Sequence, residues 1–322
     1  MLSPFRYHRA QSAADAAAHL AAEGAVPLGG GTDLLVLIKE RLAEPVELVD
    51  LRGLPGARGI VEREDGTLVI GAATRVNDLA TDERVRSRFP ALASACESVG
   101  TTALRHMGTI GGNLCQRPRC WYYRRNVSCL KNGGDGCPAV AGENEYHAIL
   151  GGGPCYIVHP SDPAVALTAL EAVIVVHGSR GERRVPIEEF FVLPLERLDR
   201  ETAMSSDEYV TAVELPAASA GGWQRYDKLM QRGSWDFALV SLAATKRRDG
   251  DVRLVLGGVA PKPWRVTSSI EEDVASGSID PDDVATLADR ALYDAAPLSK
   301  NGYKIDLAAA LLRRAILALT VM

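Results

Sequence analysis

The stretch from Thr109 to Asp162 constrains the fold more than any other part of the chain. Five of the six cysteines fall in it, at Cys115, Cys120, Cys129, Cys137 and Cys155, with four, eight, seven and seventeen residues between neighbours. Gly133-Gly134-Asp135-Gly136 and Gly151-Gly152-Gly153-Pro154 interrupt it and favour irregular backbone over helix or strand. A loop of this length needs either a function or an internal staple. The cysteines supply the staple.

Composition narrows what kind. Disulfides brace small secreted domains whose cores are too small, whereas 322 residues with 47% hydrophobic content have ample core. Structural zinc normally shows close cysteine pairs, and only Cys115 and Cys120 approach that. Four thiolates around a 4Fe–4S cluster tolerate wider gaps, and this reading is preferred. The spacing matches neither ferredoxin pattern, so zinc stays open at this point. Cys115 directly follows Thr109-Ile110-Gly111-Gly112-Asn113-Leu114, while the other four lie in the looped excursion. Cys120, Cys129, Cys137 and Cys155 are therefore the candidate ligand set. Cys96 reads as a small core residue on a helix.

A second glycine-rich site lies upstream. Ser12 and Asp15 mark the start of a helix over 13–22 that Gly24 ends. A strand over 25–28 then enters Gly29-Gly30-Gly31-Thr32-Asp33-Leu34-Leu35, which an amphipathic run continues to Leu42, and 46–50 forms the next strand. Exposed N–H groups at such a turn suit a diphosphate, but a plain tight turn needs the same glycines. The segment is not G-x-G-x-x-G, so the doubly wound dinucleotide fingerprint is absent. Downstream, strands are expected at 67–71, 156–159, 172–177, 208–215, 224–229, 237–247 and 252–259. Helices are expected near 77–81, 90–99, 164–170, from Asp280-Pro281-Asp282 through Ala291, and over 304–319. Residues 217–222 read as a linker.

The net charge of −5, without blocks of like charge, argues against nucleic acid or an anionic membrane as partner. No run of eighteen apolar residues suggests a membrane helix, and the first thirty residues do not resemble a secretory signal. By its own sequence the chain is expected in the cytoplasm. Its histidines are scattered, and no group of side chains is arranged for acid–base or nucleophilic catalysis, so no catalytic residue is assigned. His106 and His159 lie nearest the glycine motifs.

Taken together, these motifs resemble the FAD-binding medium subunits of the xanthine dehydrogenase, or molybdenum hydroxylase, family. The resemblance extends through Ser161-Asp162, Ala238-Leu239-Val240-Ser241, the segment from Gly257 to Arg265 and Asn301-Gly302-Tyr303. It is strongest to the periplasmic aldehyde oxidoreductase type, with the 4-hydroxybenzoyl-CoA reductase type next. It implies an α+β chain: a two-part FAD-binding domain of the vanillyl-alcohol-oxidase and CO dehydrogenase flavoprotein type, over 1–52 and 53–221. A 4Fe–4S loop is inserted at about 115–155. A C-terminal α+β domain follows over 222–322, its sheet covered by helices on one face.

The resemblance also implies residue roles. Val26, Pro27, Leu28, Gly29, Gly30, Gly31, Thr32, Asp33, Leu34 and Leu35 wrap the FAD diphosphate. Thr109, Gly112 and Asn113 approach the phosphates and ribityl chain, Asp162 lies near the nucleotide's sugar, and Val210 and Lys228 line the flavin. From the residues alone, Asp162 serves equally as a helix cap and Lys228 as a solvated strand-edge lysine. Relatives lacking the extra cluster lack most of the excursion; in those that have it, the ligands match Cys120, Cys129, Cys137 and Cys155. The implied function is electron transfer, in which a molybdenum-cofactor large subunit oxidises an aldehyde and a 2Fe–2S small subunit passes electrons to FAD for an external acceptor. Complexes of the xanthine dehydrogenase or 4-hydroxybenzoyl-CoA reductase type are the alternatives, and a self-contained flavin oxidase or reductase is the rival of another class. Export to the periplasm with a signal-bearing partner is compatible with this reading.

Overall fold

The computed structural model describes residues 3–277, 279–280 and 283–320. Three sheets organise it. The first joins β1 (Arg6–Arg9), β2 (Ala25–Leu28) and β3 (Glu47–Asp50) in the order β1-β3-β2, all parallel. Helices Ala13–Leu20 and Leu34–Lys39 make the crossovers, as parallel pairing requires. Ser12 accepts the Asp15 N–H and caps the first helix as its position in the sequence anticipates. His8, on β1, and His19 stack face to face beside Asp15. The Nδ1 of His19 bonds Glu47, so this helix is clamped to both neighbouring strands.

The second sheet is antiparallel, in the order β4 (Ile60–Glu62), β5 (Leu68–Gly71), β8 (Tyr209–Leu215), β6 (Val173–Gly178), β7 (Gly181–Pro186). The third runs β9 (Trp223–Leu229), β10 (Val240–Lys246), β11 (Val252–Gly257), β12 (Trp264–Arg265), each antiparallel to the next. Period-two alternation along β10 divides its side chains between two cores. Val240, Leu242 and Ala244 pack with Leu312, Ile316 and Leu319 of helix Tyr303–Thr320. Ala243 packs into the other core with residues of helices Pro90–Glu97 and Asp162–Ala169, and Thr245 bonds the Ala169 carbonyl.

The C-terminal helices do cover one face of this sheet, and the FAD-domain helices cover the other, so β10 is buried on both sides. No space remains there for a side chain at Gly257, whose Cβ would press on Ser241 and Val165.

Several local expectations need correction. Residues 156–159 do not form a strand. They are extended and bonded singly, Ala148 N–H to the Tyr156 carbonyl and His159 N–H to the Ala260 carbonyl, without a ladder. Helices Glu83–Arg88, Thr102–Met107 and Ser268–Ala275 were not anticipated; each is short, so its hydrophobic period is brief. The strand expected from Phe237 begins at Val240, and the segment before it lines cavities. The 217–222 segment is not a loose linker, because Gly221 N–H and the Gln224 amide both donate to the Arg88 carbonyl. Of the expected opening Asp280-Pro281-Asp282, the last two residues lie outside the described ones; helix Asp283–Arg290 follows.

Candidate functional site

β2 delivers the first glycine turn against the second. A Cβ on Gly30 would overlap the carbonyl oxygen of Met107, so backbone meets backbone there and only glycine fits. Gly31 sits at φ +74°, where a side chain is strained. On the facing segment, Thr109 accepts the Gly112 N–H at 3.2 Å and caps a helix of five residues, Ile110–Leu114. The expected glycine turn is thus a short helical turn, pinned by Ile110 N–H to the Thr74 carbonyl and Gly111 N–H to the Ala72 carbonyl.

Two cavities border this contact and a third adjoins them. One, of about 480 Å³, is lined by Pro27, Gly29, Leu54, Thr109, Gly112, Cys115 and Val210. A second, of about 250 Å³, takes in Thr32, Asp33, Thr109, Gly112, Asn113 and Asp162. A third, of about 310 Å³, includes Arg119, Cys120, His147, Ser161, Asp162 and Ser241. The first and second share Thr109 and Gly112, and the second and third share Arg119 and Asp162. The cavities are therefore neighbours in a row, the first two bordering the glycine turns, an arrangement with room for an extended ligand.

The structure brings some of the expected residues to this row and not others. Within 26–35, Pro27, Gly29, Thr32 and Asp33 line cavities, whereas Leu28 packs with Ile38 and Leu48, with Val26 and Leu34 beside them. Leu35 is exposed. Val210 and Lys228 are parted: Val210 lines the first cavity, and Lys228 lies beside Asp162. Lys228 itself lines none of the three cavities.

Asp162 is not the cap of its helix. Ser161 is, accepting the Ala164 N–H at 3.0 Å while its hydroxyl donates to Asn113 Oδ1 at 2.5 Å. Freed from capping, the Asp162 carboxylate receives Lys228 Nζ at 2.8 Å and the Tyr226 hydroxyl at 2.7 Å. Burial pushes its pKa up and the lysine pulls it back. Lys228 is 4% exposed, so it is no solvated edge residue. His159 is buried, donates from Nε2 to the Leu114 carbonyl at 3.2 Å, and has its pKa lowered to about 4 by burial. His106 is exposed.

The cysteine excursion folds as helix Trp121–Arg124, two single turns and irregular backbone. The neighbouring Cys155 thiol lowers the Cys137 pKa to about 6, and the pairing raises that of Cys155. Cys120, its pKa raised by burial, feels Cys129 and Cys137 electrostatically and touches His147 Nε2 at 3.2 Å. Trp121 packs edge-on against Tyr146 and His147.

Cys115 stands apart in the first cavity, its thiol raised to about 12 by burial. Cys120, Cys129 and Cys137 thus lie near enough to act on one another's thiols, and thiolates are the donor type a metal group takes.

What sequence reasoning missed is how the loop is held. Asp33 receives the Arg117 N–H at 2.8 Å, Arg119 at 2.6 Å and Arg124 at 2.8 Å. Lys131 meets Glu201 at 2.7 Å. Lys304, 1% exposed, donates to the carbonyls of Tyr146, His147 and Gly258. A lysine at the second position of an apolar helix was the available signal.

Residues 3–218 match the family described as the FAD binding domain in molybdopterin dehydrogenase, and 225–319 the CO dehydrogenase flavoprotein C-terminal domain. The chain belongs to this family. Among its relatives, the aldehyde oxidoreductase FAD-binding subunit PaoB of Escherichia coli is 37% identical over 95% of each chain. The carbon monoxide dehydrogenase medium chain of Hydrogenophaga pseudoflava is 31% identical over 82% of this chain and 78% of its own. A solved carbon monoxide dehydrogenase structure from that organism superposes with a TM-score of 0.75 at 27% identity, covering 100% of this chain and 99% of the other. As an FAD-binding medium subunit of the molybdenum hydroxylases, the chain has a ligand for its connected cavities.

Proposed function

We propose that this chain is the FAD-binding electron-transfer subunit of a molybdenum-containing aldehyde oxidoreductase, carrying a 4Fe–4S cluster on Cys120, Cys129, Cys137 and Cys155. The observation that carries the electron-transfer reading is the row of neighbouring cavities bordering the Gly29–Thr32 and Thr109–Asn113 turns. FAD bound there would supply a two-electron store. The chain's own residues do the rest. The glycine turns seat the diphosphate by backbone N–H groups, Asp162 and Lys228 hold a neutral ion pair beside the cavities, and the surrounding cores exclude water.

The cluster reading rests on the gathered thiols of Cys137, Cys155 and Cys120 and on the separate placing of Cys115. The four cysteines would hold a one-electron centre. The aldehyde specificity rests on similarity to the Escherichia coli subunit over nearly the full length of both chains. Substrate oxidation is assigned to a molybdenum-cofactor large subunit, delivery of electrons to a 2Fe–2S small subunit, and reoxidation to an external acceptor. Export to the periplasm would follow from assembly with a signal-bearing partner.

Iron, acid-labile sulfide, zinc and flavin per chain, measured on protein purified without oxygen, test both parts. About one FAD with about four irons and four sulfides is expected. FAD with zinc, or without metal, rejects the cluster and leaves the flavin subunit. Substrate turnover by the chain alone rejects the subunit reading.

A further inference from the structure

Arg119 stands where the cysteine loop meets the glycine turns, and neither feature accounts for it. Its Nη1 donates to Asp33 at 2.6 Å, its Nη2 to Gln116 Oε1 at 2.7 Å, and its guanidinium lies 5.0 Å from the Phe237 ring centroid. The Nε is shut from solvent without a hydrogen-bond partner among the described residues. The side chain lines both the second and the third cavity, at their junction.

Charge around that junction does not balance. Asp162 is matched by Lys228, and Arg232 by Asp236. Asp33 alone faces both Arg119 and Arg124, two positive charges against one negative, leaving one positive charge in excess. A partly buried guanidinium that lines a ligand cavity and carries charge in excess of its carboxylate partner is suited to an anion.

We propose that Arg119 is a cationic contact for the bound flavin nucleotide, meeting an anionic group of FAD and held in place by Asp33. The inference rests on FAD being the ligand of these cavities. FAD offers two such anions. The diphosphate is charged in every state. The ring system is neutral when oxidised and carries one negative charge after taking up two electrons and one proton. Because Arg119 directly precedes Cys120 in the chain, the same residue would tie the flavin pocket to the cysteine loop.

The test uses the assembled complex with Arg119→Gln, Arg119→Lys and Asp33→Asn. The readouts are FAD dissociation by fluorescence, the flavin midpoint potential by spectroelectrochemistry, and iron per chain. If the diphosphate is the partner, Arg119→Gln weakens binding of oxidised FAD about tenfold. If the reduced ring is the partner, oxidised FAD binds unchanged and the midpoint potential falls by about 30 mV, the equivalent of tenfold in a two-electron equilibrium. In either case Arg119→Lys restores most of the effect.

Asp33→Asn, which releases the guanidinium that Asp33 holds, moves the same readout in the same direction as Arg119→Gln, by less. Should Arg119→Gln fail to fold, Asp33→Asn and Arg119→Lys still carry the charge test. The inference is overturned if wild-type chain holds FAD and neither readout moves in these variants, or if Arg119→Lys is as defective as Arg119→Gln. A wild-type complex without FAD overturns the ligand reading instead.

Discussion

His159 makes the acid stability of this fold calculable. Its ring is buried, with Nε2 on the Leu114 carbonyl and its face 4.5 Å, centroid to centroid, from Phe191 at a steep angle. Burial lowers its pKa from 6.5 to about 4, so the folded chain keeps the ring neutral where the unfolded chain protonates it. Between those values the unfolded state binds more protons. Stability is therefore undiminished above the unfolded pKa and falls as pH drops toward the folded one. Integrating that difference gives a loss of about 2 kcal/mol at about pH 5 and about 3 kcal/mol once both states are protonated.

His159→Gln keeps an amide N–H for the Leu114 carbonyl but does not titrate. Urea unfolding followed by tryptophan fluorescence, at about pH 7.5 and about pH 5 with FAD held constant, compares the two proteins. Other titrating groups, His147 among them, are common to both and cancel in the difference. Wild type is expected to lose about 2 kcal/mol more than the variant on acidification. Equal losses would refute the reasoning, because the native ring would then be open to protons.

Gly30→Ala forces a methyl onto the Met107 carbonyl and is expected to abolish FAD retention while leaving iron in place, as flavin and iron analysis would show. Cys137→Ser is expected to cost most of the iron and sulfide, and Cys115→Ser none, measured on anaerobically purified protein. Lys304→Met removes the ammonium that donates to the carbonyls of Tyr146, His147 and Gly258 and is expected to lower stability by about 1 to 3 kcal/mol, seen as a lower urea midpoint and faster proteolysis within 115–155. Lys228→Met leaves the Asp162 carboxylate without its counter-charge; the carboxyl then holds its proton to higher pH, measurable by infrared titration of the carboxyl band.

The sequence by itself determined the elements whose signal is local. Ser12 beside Asp15, the three glycines after β2, and the 3.6-residue period of the last helix each state their structure within a few residues. The glycine motifs and the run of cysteines were legible for the same reason, since backbone freedom and thiol chemistry belong to the residue type. Only the tertiary structure decided which groups meet.

Ser161, and not Asp162, caps its helix because β9 brings Lys228 and Tyr226 to the carboxylate from more than sixty residues away. Asp33 turns from its own helix to three donors of the cysteine loop because that loop folds back over the first glycine turn. Val210 lines the first cavity while Lys228 pairs with Asp162, because their strands belong to different sheets. Pairings across such distances are set by packing and by the need to satisfy buried charge, and neither leaves a periodic trace in the chain.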